Sequence, residues 1–163
     1  MFSFCIPTEF VFGSGSFKKL YQYRMPGKKA LIVTTNGGSV KRLGYLNELE
    51  KQLEKSDVSF EVFDGIEPNP ITDNIMAAAA KAKETNCDFV IGFGGGSPMD
   101  SAKLIALAAT NPGNIWDYCQ KGTGGRKQPE NTPLPVVCIS TTAGTGSEAD
   151  NSGMVTNSVT KEK

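Results

Sequence analysis

Three stretches of this chain are apolar almost without a break: Ala30 to Thr35 (ALIVTT), Asp88 to Phe93 (DFVIGF) and Leu134 to Ser140 (LPVVCIS). A strand with apolar residues at successive positions needs cover on both faces. A parallel sheet sandwiched between helices supplies that cover, and few other arrangements do. The segments between the runs agree with this. Leu46, Leu49 and Leu53 fall at i, i+3 and i+7, which predicts an amphipathic helix over about 41 to 55. Val58 to Phe63 reads as a further strand, Ile75 to Glu84 and Pro98 to Thr110 as helices, and Phe17 to Arg24 as a short helix. The predicted fold is therefore α/β: a Rossmann-like parallel sheet with helices on both faces.

Three regions stand outside that alternation. Phe2, Phe4 and Ile6, then Phe10 and Phe12, alternate with small or polar residues around Pro7-Thr8-Glu9, which predicts an N-terminal β-hairpin. Its aromatic side chains would either pack on the chain's own sheet or bury an interface with a second copy. Gly65 to Pro70 (GIEPNP) reads as a loop, because two prolines in three residues break any element. Asn111 to Pro133, rich in Gly, Pro and Gln, reads as a surface excursion rather than a domain boundary. At 163 residues the whole is expected to be one domain, residues 1–163.

Composition narrows the function. Basic and acidic residues number 17 each, which argues against a nucleic-acid arm or a basic membrane patch. No apolar run approaches the ~20 residues of a membrane span, and the N-terminus lacks the basic region of a signal peptide. The four cysteines, Cys5, Cys87, Cys119 and Cys138, are dispersed and read as free thiols in a reducing compartment, so the expected location is the cytoplasm. The chain has no histidine, which excludes a histidine base, a Ser-His-Asp triad and any histidine-containing metal site within it.

The 18 glycines are more than ordinary usage and they cluster. The densest cluster is Gly92-Phe93-Gly94-Gly95-Gly96-Ser97-Pro98, which leaves the third predicted strand and opens a helix. Ser97 as N-cap, Pro98 at N1 and Asp100 at N3 would form a capping box. The bare N–H groups of such a helix start, with the positive dipole end, make an anion site suited to a pyrophosphate. The pattern is not the dinucleotide fingerprint, which would need glycine at Ser97 and a place after the first strand. The plainer alternative is a turn that only caps a helix.

Two further loops follow predicted parallel strands. Ser140 to Glu148 (STTAGTGSE) offers hydroxyls to phosphate, ribose or an amide, although most Ser/Thr/Gly loops are only loops. Thr34 to Lys41 (TTNGGSVK) occupies the place where a nucleotide fold meets the adenosine ribose. It lacks the carboxylate that would hold both ribose hydroxyls. Asn36, Gly37, Gly38, Ser39 and Lys41 could instead hold a 2′-phosphate, or the segment could be a plain strand-to-helix turn.

GGGSPMDSAK (Gly94 to Lys103), EPNP (Glu67 to Pro70) and TTAGTGSE (Thr141 to Glu148), with the FxFxxPTxxxFGxGS opening, together resemble the iron-containing, group III alcohol dehydrogenases. The resemblance covers essentially the whole chain, in order. Asn36 to Lys41 further resembles the NADP(H)-dependent butanol dehydrogenase and aldehyde reductase branch. The resemblance implies a Rossmann-like cofactor domain followed by a helical domain that holds Fe²⁺ or Zn²⁺ on one Asp and three His. It implies that Gly95, Gly96 and Ser97 cradle the pyrophosphate with Asp100 nearby, and that Asn69 lies by the adenosine half. Thr141, Thr142, Thr145 and Ser147 would line the nicotinamide side, and Lys163 sits at about the place of a cofactor-contacting lysine.

Family members are more than twice as long, so the helical domain is expected to be absent here. The chain alone is then expected to hold no catalytic metal and turn over no alcohol. The intact enzyme would move hydride between a small primary alcohol or aldehyde and NADP(H), with NAD(H) as the alternative cofactor, and would pair into a homo-oligomer. A stand-alone nucleotide-binding module, or a relative of glycerol dehydrogenase and dehydroquinate synthase, are the competing readings.

Overall fold

The computed structural model describes residues 7–36 and 38–163. After a 3₁₀ helix (Ser16–Gln22) the chain forms β1 (Lys29–Thr35), α1 (Ser39–Arg42), α2 (Tyr45–Glu54), β2 (Ser59–Ile66) and α3 (Thr72–Glu84). It continues through β3 (Phe89–Gly94), α4 (Gly96–Thr110), a second 3₁₀ helix (Ile115–Tyr118) and β4 (Val136–Ser140). The four strands form one sheet in the order β2-β1-β3-β4, and every pairing is parallel.

Strand periodicity divides the core in two. On one face Ala30, Ile32, Phe89, Ile91 and Phe93 meet Val40 of α1 and Leu46, Leu49 and Leu53 of α2. On the other face Leu31, Val33 and Val90 meet Ile75, Ala78, Ala79 and Ala82 of α3 and Ala102, Ile105 and Ala106 of α4. The central strands β1 and β3 are covered on both sides, which is why their sequences are apolar at both parities. Each fully buried Leu, Ile or Phe contributes about 1.5–3 kcal/mol through its burial. Among the described residues no helix is long and apolar enough to cross a membrane.

Several boundaries differ from the sequence reading. The helix expected over 41 to 55 is two helices, because Gly44 takes a left-handed conformation (φ 77°) between them. The Phe17 to Arg24 segment is a 3₁₀ helix. The GIEPNP stretch is not all loop, since β2 runs on through Gly65 to Ile66. The first strand of the expected hairpin, with Phe2, Phe4, Cys5 and Ile6, lies outside the described residues. Its second half forms no strand: residues 7–12 pair with nothing in the described sheet, and Phe10 and Phe12 are exposed. Alternation makes a strand only where a partner strand satisfies its backbone groups, and none is present among the described residues.

The excursion after α4 is more anchored than its composition suggests. Asn111, buried, donates from Nδ2 to the carbonyls of Leu107 (3.1 Å) and Asn131 (3.0 Å) and accepts at Oδ1 from the N–H groups of Glu130 (2.8 Å) and Asn131 (2.9 Å). Ile115 and Tyr118 of the second 3₁₀ helix are buried. Cys87, Cys119 and Cys138 are free thiols, and burial pushes each above the ordinary cysteine range, which favours the protonated form.

Candidate functional site

Because all strands are parallel, the turns that follow them emerge along one carboxyl edge. In spatial order these are the EPNP loop after β2, the Asn36 to Ser39 turn after β1, the glycine turn after β3 and the Thr141 to Glu148 loop after β4. β1 leads into helices on one face and β3 into α4 on the other. The chain therefore parts between β1 and β3, and that crevice is where open α/β sheets bind ligands.

The glycine turn is tighter than the sequence implied. Gly95, extended at φ −83° and ψ −161°, is the residue before the helix, and no side chain caps α4. Ser97 and Pro98 lie inside its first turn, so the expected Ser97 capping box does not form. Asp100 instead points to the neighbouring loop: its carboxylate accepts from Ser147 Oγ (2.5 Å) and from the Met154 N–H (3.1 Å). The N–H groups of Gly96 and Ser97 have no intrahelical acceptor, as at any helix start, and Pro98 has no N–H to leave unpaired.

The four glycines of this turn are not alike. A Cβ on Gly92 would lie 2.8 Å from Met99 Cα and 2.9 Å from Ala102 Cβ, so glycine here lets α4 press against β3. Gly94 has φ 144°, and a Cβ would meet the Pro98 ring at 2.7 Å. By contrast, a Cβ on Gly95 would find only Thr142 Oγ1 at 3.8 Å, and one on Gly96 only Thr145, from 3.5 Å. Those are ordinary contacts, and neither residue has positive φ. Among the described residues nothing in the packing demands glycine at 95 or 96. The two glycines leave a cradle that a Cβ would fill, at the start of a 15-residue helix. Backbone N–H groups bared in this way fit the close approach of a phosphate group.

The β4 loop faces that cradle. Thr141 N–H donates to Gly94 O (2.8 Å), continuing the β3–β4 pairing into the loop. Thr142 and Thr145 are exposed beside Gly95 and Gly96, whereas Ser147 is buried and spends its hydroxyl on Asp100. Lys103, one turn along α4, donates to Asp150 Oδ1 (2.6 Å) and to the Ser152 carbonyl (2.5 Å). Burial pushes the Asp150 carboxyl up, but its hydrogen bonds and the Lys103 charge outweigh that and hold it below the usual range. Asp100 and Lys103 thus clamp the loop to α4 from two points. The sequence reading placed Asp100 at a helix cap and gave Lys103 no tethering role; seeing the clamp requires knowing that residues 147–154 return to α4.

The remaining sequence candidates lie at the other end of the edge. Asn36 and Ser39 are exposed, and Gly38 precedes α1, whereas Gly37 lies outside the described residues. Lys41 is paired with Asp64, a carboxylate at the end of β2 that the sequence reading passed over. An acidic residue closing the second parallel strand was the signal available for it. Asn69, in a left-handed conformation (φ 58°), accepts from Lys163 Nζ (2.8 Å), because the chain after Val155 runs back along the EPNP loop. A parallel bridge between Ile71 and Thr156 fixes that return. Two buried polar atoms at this edge, Thr34 Oγ1 near the end of β1 and Glu148 Oε2 on the β4 loop, have no partner among the described residues. No cluster of three or more His, Cys, Asp or Glu that could hold a metal ion occurs among the described residues. The donor set here does not fit an iron or zinc centre.

Comparison with known proteins agrees with this architecture. The chain is 36% identical over 162 residues to a probable NADH-dependent butanol dehydrogenase 1 of Bacillus subtilis, covering 99% of this chain and 41% of that one. It is 35% identical over 164 residues to the NADPH-dependent aldehyde reductase YqhD of Escherichia coli, covering 99% and 41%. The crystal structure of NADH-dependent butanol dehydrogenase A from Thermotoga maritima superposes with a TM-score of 0.85 at 32% identity, over 96% of this chain and 38% of that one. The chain thus spans about two-fifths of the length of these relatives, and it matches their N-terminal, cofactor-binding portion. The family model for iron-containing alcohol dehydrogenases matches residues 7–163, and the chain belongs to that family.

Proposed function

We propose that residues 1–163 form the nicotinamide-dinucleotide-binding domain of an alcohol dehydrogenase or aldehyde reductase for small primary alcohols or aldehydes. The observation that carries this reading is the pair Gly95 and Gly96. They are glycine without any internal need, at a helix N-terminus in the crevice between β1 and β3. The N–H groups of Gly95, Gly96 and Ser97 hold the pyrophosphate. Asp100 acts by fixing the β4 loop through Ser147 rather than by touching phosphate, which a carboxylate would repel.

Thr141, Thr142 and Thr145 line the nicotinamide side, and Asn69, held by Lys163, borders the adenosine half. When bound, the nicotinamide supplies a hydride acceptor or donor at C4. The chain's part is to orient that ring at the sheet edge and keep the pyrophosphate fixed. Asn36, Gly38, Ser39 and Lys41 face the adenosine ribose, and NADP(H) is the preferred cofactor. A cytoplasmic enzyme that pairs through the exposed Phe10, Val11 and Phe12 segment completes the reading.

The test is calorimetric titration of the chain and its Gly95→Val variant with NADP⁺. The branched side chain fills the cradle, so affinity should fall at least about tenfold while the protein stays folded. Unchanged affinity in a folded variant would contradict the proposal.

A further inference from the structure

The carboxyl end of β2 carries a charge that the proposed site does not use. β1 and β2 pair in register from Lys29 with Ser59 to Val33 with Phe63, and then Thr35 pairs with Ile66. Over that interval β2 holds one residue more than β1, a bulge that contains Asp64 and Gly65. Bulges re-aim side chains at sheet ends. Here the carboxylate of Asp64 accepts a hydrogen bond from the Lys41 ammonium. The Asn36 N–H donates to Ile66 O (3.2 Å), which ties the turn after β1 to the same bulge. The lysine that the sequence offers to a 2′-phosphate therefore already has a counter-charge. The Lys41 hydrogen bond in turn holds the Asp64 carboxyl below the ordinary range, so it is ionised at neutral pH.

The two dinucleotides put different demands on this pair. NAD(H) presents a neutral hydroxyl at the 2′ position and can leave the pair intact. NADP(H) presents a phosphate of nearly two negative charges. To reach Lys41, that phosphate has to displace Asp64 and then lie beside an anion. We infer that Asp64 is a specificity-determining residue, which competes with the 2′-phosphate of NADP(H) for Lys41 and so weakens the chain's preference for that cofactor. The inference rests on the dinucleotide reading above. Both side chains are partly exposed, so water and salt hold the effect to about five- to tenfold.

The test compares 2′,5′-ADP with 5′-AMP, two fragments that differ only at the 2′ group, by calorimetry on the chain. Asp64→Asn should tighten 2′,5′-ADP about five- to tenfold and move 5′-AMP less than twofold, and the gain should shrink at high salt. Lys41→Met should bring 2′,5′-ADP down towards 5′-AMP, and adding Asp64→Asn to it should restore nothing. Lys41→Arg should keep the discrimination. Equal movement of both ligands in Asp64→Asn, or an Asp64→Asn gain that survives Lys41→Met, would overturn the inference. Weaker 5′-AMP binding in Asp64→Asn would overturn it too, since Asp64 would then be a ribose ligand. If the chain binds neither fragment, the dinucleotide reading fails and this inference with it. If it binds both with a ratio that Asp64→Asn leaves unchanged, only the inference fails.

Discussion

Gly92 and Gly94 close β3, while Gly95 and Gly96 open α4. All four lie within five residues, yet they are glycine for opposite reasons. The first pair is required by the protein itself, since any Cβ there strikes the first turn of α4. The second pair meets nothing closer than ordinary contact distance. Removing a required glycine damages the fold, whereas removing an unrequired one damages whatever the space is kept for. A glycine count therefore says little until each position is asked what a Cβ would hit.

Substitution separates the two roles, and the largest effect is expected at Gly92. Gly92→Ala drives a methyl into the backbone of Met99 and Pro98, which overpacks the β3–α4 contact and should cost about 1–3 kcal/mol in urea unfolding. Gly96→Ala should act in the opposite direction. Its Cβ fits and alanine favours helix, so stability should rise by up to about 1 kcal/mol while dinucleotide affinity falls. If both substitutions destabilise equally, or if Gly96→Ala leaves affinity intact, the distinction between the two pairs is lost.

The clamp on the β4 loop is next in size. Asp100→Ala strands the Ser147 hydroxyl and the Met154 N–H, at a cost of about 1–3 kcal/mol. Hydrogen exchange should show the loosening in residues 141–154 before it appears elsewhere. Uniform loss of protection across the sheet would mean that Asp100 supports the core rather than the loop.

The strands were legible because β1 and β3 are buried on both faces, so their sequences carry no competing polar parity. The fold class needed nothing more. The helix starts were less legible. Ser97, Pro98 and Asp100 satisfy the local rules of a capping box, but Gly95 in an extended conformation begins α4 sooner, and Asp100 is claimed by a loop that returns from β4. Gly44 splits a helix that its leucine spacing makes look continuous. The place of Asp64 at the end of a parallel strand is legible in the sequence, but its pairing with Lys41, 23 residues away, comes from a bulge that only the structure shows. In the candidate site the glycine turn could be read locally, whereas every side-chain partnership depends on the order of the strands.

The smallest expected effect is on pH dependence. The Asp150 carboxyl is held below the ordinary aspartate value in the folded chain, after burial is outweighed by Lys103. A depressed carboxylate adds stability that is present above the unfolded value, near pH 4, and is lost as the pH falls through the folded one. The side chain is half exposed, so solvent screening limits the contribution to well under about 1 kcal/mol. The stability difference between the parent and Asp150→Asn should therefore be small at pH 7 and shrink as the pH falls below about 4. A difference that grows on acidification would contradict the clamp.

The most direct test of the start of α4 as a phosphate cradle is amide chemical-shift mapping during titration with NADP⁺. The largest shifts are predicted at the N–H groups of Gly95, Gly96 and Ser97, with a second set at Thr141 to Ser147, and they should saturate together. Saturable shifts confined to other parts of the molecule, with Gly95 to Ser97 unmoved, would contradict it.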